Sequence, residues 1–599
     1  MNKLLVYYQR ELSFLKYHGK VFANRYPKIA RRLGLSDGET EDPHVSRLIE
    51  SFALLTSRIH HRLDQNLPEI IDALMSNVAP QFLLTLPSVC IVNIDPDVKS
   101  SGLTGKNVIS SGEILFTKQS LPISCQMQTI YPVTLLPLSI NSATLSYNKD
   151  DMTWKLQLLF HVWPGASILG ETIRLFLHGP DNATNTLYTM LCSELKTLII
   201  KNDQRNISLK GGAIRPVGFS EIEGLLKNSI NIPSVHNLLL DYFWFPKKFL
   251  FIDIDMPEDF IMPGNSKFQL EATFNSNFLT ERLEKISEII DPDFFRLHCT
   301  PAVNLFPQCS EPIVLKEDKS EYPIVTDAYH QDHIDIWSIQ DVFVKRTESG
   351  RIKSFKINPL IKCHLRDMNK NLVDLFWHSF RREIAGPTGL QEKQLIAFSY
   401  AQDRVQSETP EIVTVHMQCS NHSLPNQFRY GKEAGDFDAD ILIAGLRIVA
   451  LTHPSRPVSP PDDSSRFWRL ISQLSLNRQL FDGAQGAQQL KETLALYSFG
   501  SESRSLPIYT LIKSVSCQPI KARLVHNDPH SLTRGMDITV TFEHSALMQP
   551  EYYLFCCMLD RFIALYAPVN SFTRLVTCSE DSELTRRIWP IRTGRLTWL

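Results

Sequence analysis

The sequence carries no excess of either charge: 62 Lys and Arg stand against 64 Asp and Glu, a formal net charge of −2 over 599 residues. A protein that grips phosphate backbones carries a basic surplus to displace counterions, so nothing global points to nucleic acid. Long hydrophobic runs are missing as well. The two most apolar stretches, 441–451 and 552–569, are interrupted by Arg447 and by Asp560 with Arg561. A membrane span needs roughly 18 or more nearly uninterrupted apolar residues, so none is expected. The opening residues, Met1 to Glu11, meet charge before an apolar core of signal-peptide length can form. Cysteine is sparse and irregular, eleven in all, single apart from the neighbours Cys556 and Cys557. That is no disulfide framework, and the cytoplasm is the expected compartment.

Catalytic signatures are absent too. With 25 glycines in the chain, there is no phosphate-cradling loop, no G-x-S-x-G elbow, no H-E-x-x-H and no Cys-x-x-Cys pair. Constellations assembled from distant positions leave no such trace. The balance still moves toward binding or structure, with no cofactor and no metal expected.

What is present is enough apolar mass for several cores: 43% hydrophobic and 10% aromatic residues. A disordered chain lacks that surface. The length is about four planning units of ~150 residues, so several domains are expected. Leu4, Tyr8, Leu12, Leu15, Phe22 and Tyr26 fall on one helical face. Gly34 and the cluster Ser36-Asp37-Gly38 break the pattern. Asp42 followed by Pro43 restarts it, a capping side chain before a residue with preset φ and no amide to satisfy. Val45, Leu48, Ile49, Phe52, Leu55, Ile59 and Leu63 then make a stripe over about six turns. A shorter helical segment, 69–78, follows Pro68.

Beyond Pro87 the texture becomes short β-type runs with helices between them. Runs at 130–138, 154–163, 173–178 and 249–255 read as strands. Residues 186–198, 220–227 and 279–290 read as helices. His453 to Asp463 holds four prolines and reads as a linker. After it, 467–476 and 488–497 look helical, 536–542 extended, and 551–566 a final amphipathic helix expected to form part of the last core. The expected class is α+β and multi-domain, with N-terminal amphipathic helices followed by mixed β-rich domains. The corresponding divisions are a helical region 1–85, mixed domains 86–270 and 271–452, a linker 453–465, and a C-terminal domain 466–599.

Three arrangements invite a chemical reading. His416-x-x-Cys419-x-x-His422 supplies three acceptable zinc ligands, but no nearby Cys or His supplies a fourth. A metal- or thiol-dependent enzyme centred there is the alternative function. Cys299 beside His298, with Cys309 further on, has no evident basic partner to activate a thiol. Asp253 and Asp255 alternate with apolar residues, as on the solvent face of a strand, and His60-His61 falls on the polar side of its helix. The N-terminal helices pose a different question. Two long amphipathic helices with little between them either lie on the following domain or bundle with helices of another chain.

Particular residues then carry a resemblance. Tyr7-Tyr8-Gln9-Arg10-Glu11-Leu12, Arg25-Tyr26-Pro27-Lys28-Ile29-Ala30, Glu41-Asp42-Pro43-His44-Val45 and Arg58-Ile59-His60 resemble the opening of the TssF family. Asp241-Tyr242-Phe243, Cys299-Thr300-Pro301, Trp468-Arg469-Leu470-Ile471 and Asn570-Ser571-Phe572-Thr573 follow in family order. His422 stands where that pattern has arginine, and Ile109-Ser110-Ser111-Gly112-Glu113 also departs from it. The resemblance implies a structural baseplate wedge subunit of the bacterial type VI secretion system, similar to wedge proteins of contractile phages and without an active site. It implies assembly with TssG and a second copy of TssF, and contacts with TssK and TssE. It further implies wedges around the hub of a cytoplasmic, sheathed contractile tail that docks on an inner-membrane complex and delivers effectors. Neither nucleic acid nor direct membrane insertion is implied. The expected subunit interface is Asp42, Pro43, Leu48, Phe52, Leu55 and Ile59. Truncating Phe52 in such a seam should cost roughly 3–5 kcal/mol and abolish co-purification with TssG.

Overall fold

The computed structural model describes residues 2–593 apart from 33–34, 37–38, 41–42, 65–81, 99–101, 119–120, 203–204, 210–211, 227–233, 275–279, 317, 349–350, 361–374, 387–388, 401–410, 442, 444, 460–485, 499–506, 524–531, 565–566, 568–570 and 581. The described chain falls into two compact units, one including Met1–Leu83 and the other spanning Leu84–Pro460 and Asn477–Leu599. The expected helical segments 69–78 and 467–476 lie outside the described residues.

The first unit is helical. Helix α1, Asn2–Arg25, ends where Pro27 follows, and Tyr26 N–H still donates to the Phe22 carbonyl at 2.9 Å. A short helix, Pro27–Arg32, and a two-residue hairpin of Leu35–Ser36 with Glu39–Thr40 lead to α2, Pro43–Asp64. Pro43 opens α2, where its missing N–H has no intrahelical acceptor to lose. The two long helices pack on each other.

The second unit is organised by a closed barrel. Its strands run in the order Cys299–Val303, Val89–Pro96, Leu446–Ala450, Phe437–Ala439, Ile114–Thr117 and Gln126–Thr129. Cys90, Val92, Ile94, Leu115, Met127, Ala302, Phe437, Ile448 and Ala450 fill it. Strand Val89–Pro96 is buried on both faces, which explains its nearly unbroken apolar reading. Strands from 86–270 and from 271–452 meet in this one barrel.

Sheets are inserted between the barrel strands. Among the described residues, a five-stranded antiparallel sheet orders Asn206–Leu209, Leu195–Lys201, Lys267–Phe274, Thr153–Val162 and Leu138–Asn148. A four-stranded sheet orders Ile214–Pro216, Phe251–Ile254, Ile173–Leu177 and Phe295–Arg296. A larger one is built from long hairpins, Asp335–Glu348 with Arg351–Pro359 and Leu375–Gly386 with Gly389–Tyr400, and from Ile412–Ser420. The C-terminal sheet pairs Ile512–Arg523, Leu532–Phe542 and Phe572–Ser579, the last two in parallel. Helices α3 (Asp181–Ser193), α4 (Ser234–Trp244), α5 (Thr280–Ile289), α6 (Gly486–Tyr497) and α7 (Tyr552–Ala564) lie among these sheets.

Three local expectations change. The helix expected over 186–198 begins earlier and stops at Ser193, and Leu195–Lys201 is a strand paired with Lys267–Phe274. Its Leu, Ile and Thr side chains gain more from cross-strand packing than from another helical turn. Of the described part of 220–227, only Glu221–Glu223 is helical, a single 3-10 turn closed by reciprocal bonds between Ser220 and Glu223. The proline-rich segment is no free linker over its described part. Ser455 N–H donates to Val89 O at 2.9 Å, Leu86 and Val458 form a bridge, and Pro454 is buried.

Helix α7 is buried on every side, including Asp560, which accepts from Arg592 Nε at 2.6 Å. Arg561 stacks over Phe219 at 3.8 Å. These two charges therefore do not mark a solvent face. A second buried charge locks α4: the Lys248 ammonium, in the turn that follows, donates to the Asp241 carboxylate, and both side chains are almost wholly enclosed. Leu225 N–H adds a bond to the same carboxylate at 3.1 Å.

Candidate subunit interface

Side chains four and three residues apart stack along one face of a helix. At roughly 100° per residue, Leu48, Phe52, Leu55 and Ile59 fall within about 60° of one another on α2. In the chain alone this face is open: Leu48 is 71% exposed, Phe52 57%, Leu55 58% and Ile59 59%. The buried side of the helix is elsewhere. Ala53 and Ser57 are fully enclosed, and they sit more than about 90° round the helix from the stripe. Ser57 Oγ turns back to the Leu54 carbonyl at 2.7 Å, so its hydroxyl is satisfied within the helix. Small side chains thus mark the enclosed side of α2, while the large apolar ones point outward.

Helix α1 also carries exposed apolar side chains. Phe14, Val21, Phe22, Tyr26 and Ile29 are exposed along the helix and just after it, while Glu11 is buried. Phe14 packs on His18 with ring centres 4.3 Å apart, and Phe22 on Tyr26 at 5.4 Å. A monomer rarely leaves such rows of large apolar side chains facing water. Of the expected interface residues, Pro43 is the exposed first residue of α2, and Asp42 lies outside the described residues. Phe22 and Tyr26 belong to the stripe expected on the first helix, whereas Phe14, Val21 and the small enclosed residues of α2 were not singled out. Ala and Ser carry no hydrophobic periodicity to signal them.

The chemical alternatives do not assemble. His416 and Cys419 are three residues apart on strand Ile412–Ser420, and odd separations on a strand point to opposite faces. Cys419 is fully buried, and its enclosure pushes the thiol up to about 12, far from a metal-binding thiolate at neutral pH. His416 is exposed beside Phe343, and His422 occupies the following turn with φ +49°. No group of three His, Cys, Asp or Glu fit to hold a metal occurs among the described residues.

Cys299 is buried, with Leu297 O accepting from its Sγ at 3.2 Å and its thiol raised to about 12 by desolvation, while Cys309 is exposed. Asp253 receives a two-point contact from Arg174 at 2.7 and 2.9 Å, and Asp255 pairs with Arg215. Both carboxylates are therefore committed to guanidinium groups. The side chains of His60 and His61 lie outside the described residues. Among the described residues, no helix is long and apolar enough to cross a membrane.

Comparison with known proteins identifies the family. The family model "Type VI secretion system, TssF" matches residues 1–596. The type VI secretion system component TssF1 of Pseudomonas aeruginosa is 28% identical over 628 residues, covering 99% of each chain. Two solved structures share the fold. One is the TssK–TssF–TssG baseplate subcomplex from cryo-electron microscopy, with TM-score 0.72, 23% identity, and coverage of 92% of this chain and 99% of that one. The other is the type VI secretion baseplate complex, with TM-score 0.62, 20% identity and 99% coverage of both chains. With a family match over nearly its entire length, this chain belongs to the TssF family of the type VI secretion system.

Proposed function

We propose that this chain acts as a baseplate wedge subunit through assembly rather than catalysis, and that the outward face of α2 is where it joins TssG. The observation that carries this reading is the exposed row Leu48, Phe52, Leu55 and Ile59 on a helix whose own packing uses Ala53 and Ser57 instead. Such a row is the apolar seam of a helical bundle awaiting another chain's helices. Under this reading the amphipathic region 1–85 is an assembly module, and Asp42 with Pro43 fixes where its second helix begins. One of the solved fold neighbours is a complex with TssK and TssG, which makes these the first partners to test. A second copy of this chain, TssE, and hub and sheath components complete the proposed set. The assembly is placed in the cytoplasm, docked on the inner-membrane complex. A formal charge of −2 suits close packing of repeated subunits, since strong like charge would oppose it.

The test is co-expression with the TssG and TssK of the same system. Wild-type chain should elute with both on size-exclusion chromatography. Replacing Leu48 and Phe52 by Ser should release TssG while the chain elutes as a folded species. Retention of TssG by that variant overturns the assignment of the α2 face.

A further inference from the structure

An edge strand offers a row of backbone N–H and C=O groups to any chain that can lie beside it, and proteins guard long edges with charge, proline or a bulge. This chain guards two of its edges in that way. Strand Ile512–Arg523 carries Pro519 with Lys513, Lys521 and Arg523, and Ser582–Ile588, at the other side of the same sheet, carries Glu583, Arg586 and Arg587. The five-stranded sheet differs. One of its edges, Asn206–Leu209, is only four residues long. The other, Leu138–Asn148, runs for eleven residues with no charge and no proline. Among the described residues, no strand pairs with its outer side.

The strand's single irregularity sits near its start. Its register against Thr153–Val162 shifts between Ile140 and Ser142, so Asn141 is a bulge that bends the chain there. Beyond it, residues 142–148 pair one for one with 153–159, a regular edge of seven residues. Ala143 and Leu145 are buried on one face, while Ser142, Thr144 and Ser146 are exposed on the other. Tyr147 shares the face of Ala143 and Leu145 and packs on Trp154 with ring centres 5.3 Å apart, yet it remains exposed.

We propose that the edge 142–148 pairs antiparallel with the same edge of a second copy of this chain, about a two-fold axis at Leu145, giving one sheet of ten strands, five from each copy. The inference rests on the assembly role argued above, and it adds a contact on the second unit that differs in kind from the apolar face of α2. The composition of the edge selects a copy of itself. Two-fold pairing sets each residue of the segment against another residue of the same segment, so any charge there would be duplicated at close range, and there is none. Centring on Leu145 opposes Thr144 to Ser146, hydroxyl to hydroxyl on the exposed face. On the buried face it opposes Tyr147 to Ala143, whose small side chain leaves room for the ring to gain the cover it lacks in the single chain. The buried faces of both copies stay on the same side of the joined sheet.

The test uses full-length chain in two tagged forms, co-expressed with TssG and TssK. One form carries Thr144→Cys and the other Ser146→Cys, with the exposed Cys309 changed to Ser in both. Mild oxidation of the purified complex should join the two tags through a disulfide, because the register sets these positions directly opposite each other. Ser142→Cys in place of Thr144→Cys makes the pair a diagonal one, about 7–8 Å apart and beyond disulfide reach, and should lower the yield at least about tenfold. Co-elution of TssG and TssK with no joined tags overturns the edge pairing alone, as does an equal yield from the diagonal pair. Joined tags without TssG support the edge and overturn the assembly reading on which it rests. Neither joined tags nor bound TssG overturns both.

Discussion

Replacing Phe52 by Ala separates two roles that an apolar helix face can have. The ring is 57% exposed in the chain alone, so less than half of its burial is realised before any partner arrives. Fully burying a Phe side chain contributes about 1.5–3 kcal/mol, which leaves about 1–2 kcal/mol to be gained only on association. Truncation should therefore change the stability of the isolated chain by about 1 kcal/mol or less. In a closed seam the lost ring also leaves a cavity, which raises the cost toward the ~3–5 kcal/mol seen for buried aromatic truncations. Taking about 2–3 kcal/mol as the share felt at the interface, affinity for the partner should fall by about 30- to 150-fold. Adding Leu48→Ala and Leu55→Ala should deepen the loss, though not additively, because the three side chains are neighbours. The measurement is a pair: thermal melting of the isolated chain, and titration calorimetry or size exclusion with TssG. The expected pattern is superimposable melts with a broken complex. A variant chain that unfolds early while still binding TssG refutes the reasoning, because the stripe would then belong to the chain's own core.

Other outcomes follow from the barrel unit. Lys248→Met leaves the Asp241 carboxylate enclosed without its cation and should destabilise the fold by about 3–5 kcal/mol, with Asp241→Leu added in the same chain recovering most of it. Equal melting of single and double variants would contradict this. His236 lies 2.7 Å from the Tyr497 hydroxyl, and His298 accepts from a backbone N–H; burial lowers both to about 4. The folded state therefore binds fewer protons than the unfolded chain between about pH 4 and the ordinary histidine value near 6.5. Stability should be full above about pH 6.5 and fall by a few kcal/mol toward pH 4, a slope that denaturant titrations at pH 7 and pH 5 can measure and that His236→Phe should reduce. Elemental analysis of chelator-washed protein should find well under one zinc per chain. Stoichiometric zinc lost in His416→Ala would restore the metal reading.

Legibility in the sequence followed the physics of each signal. The Asp42-Pro43 pair announced a helix that does run Pro43–Asp64, because proline leaves few alternatives for where a helix begins. Strand Thr153–Val162 was visible through its alternation, and α7 through its apolar density. The junction after Ser193 was not, since Leu187, Leu191, Leu195 and Leu198 keep the helical spacing of three and four straight across it, although the chain turns to a strand at Leu195. The barrel was invisible for a related reason. Its strands are short and come from distant parts of the chain, and no local pattern records which of them meet. At the candidate interface the outward stripe was legible, but the direction in which α2 packs was not, because Ala53 and Ser57 are too small to stand out.

The seam of the barrel has a consequence for how the protein is made. Asp95 and Arg447 face each other across adjacent strands while standing 352 positions apart. At about 5–20 residues per second, the ribosome needs roughly 20–70 s to deliver the second strand after the first. For that interval Val89–Pro96, buried on both faces in the finished fold, waits with one edge unclaimed, and until Cys299–Val303 emerges with both. The inserted sheets can form meanwhile, but their shared foundation closes only when nearly three quarters of the chain has emerged. A polypeptide truncated before Leu446 should therefore be captured by chaperones through that strand, however well its inserted sheets have folded.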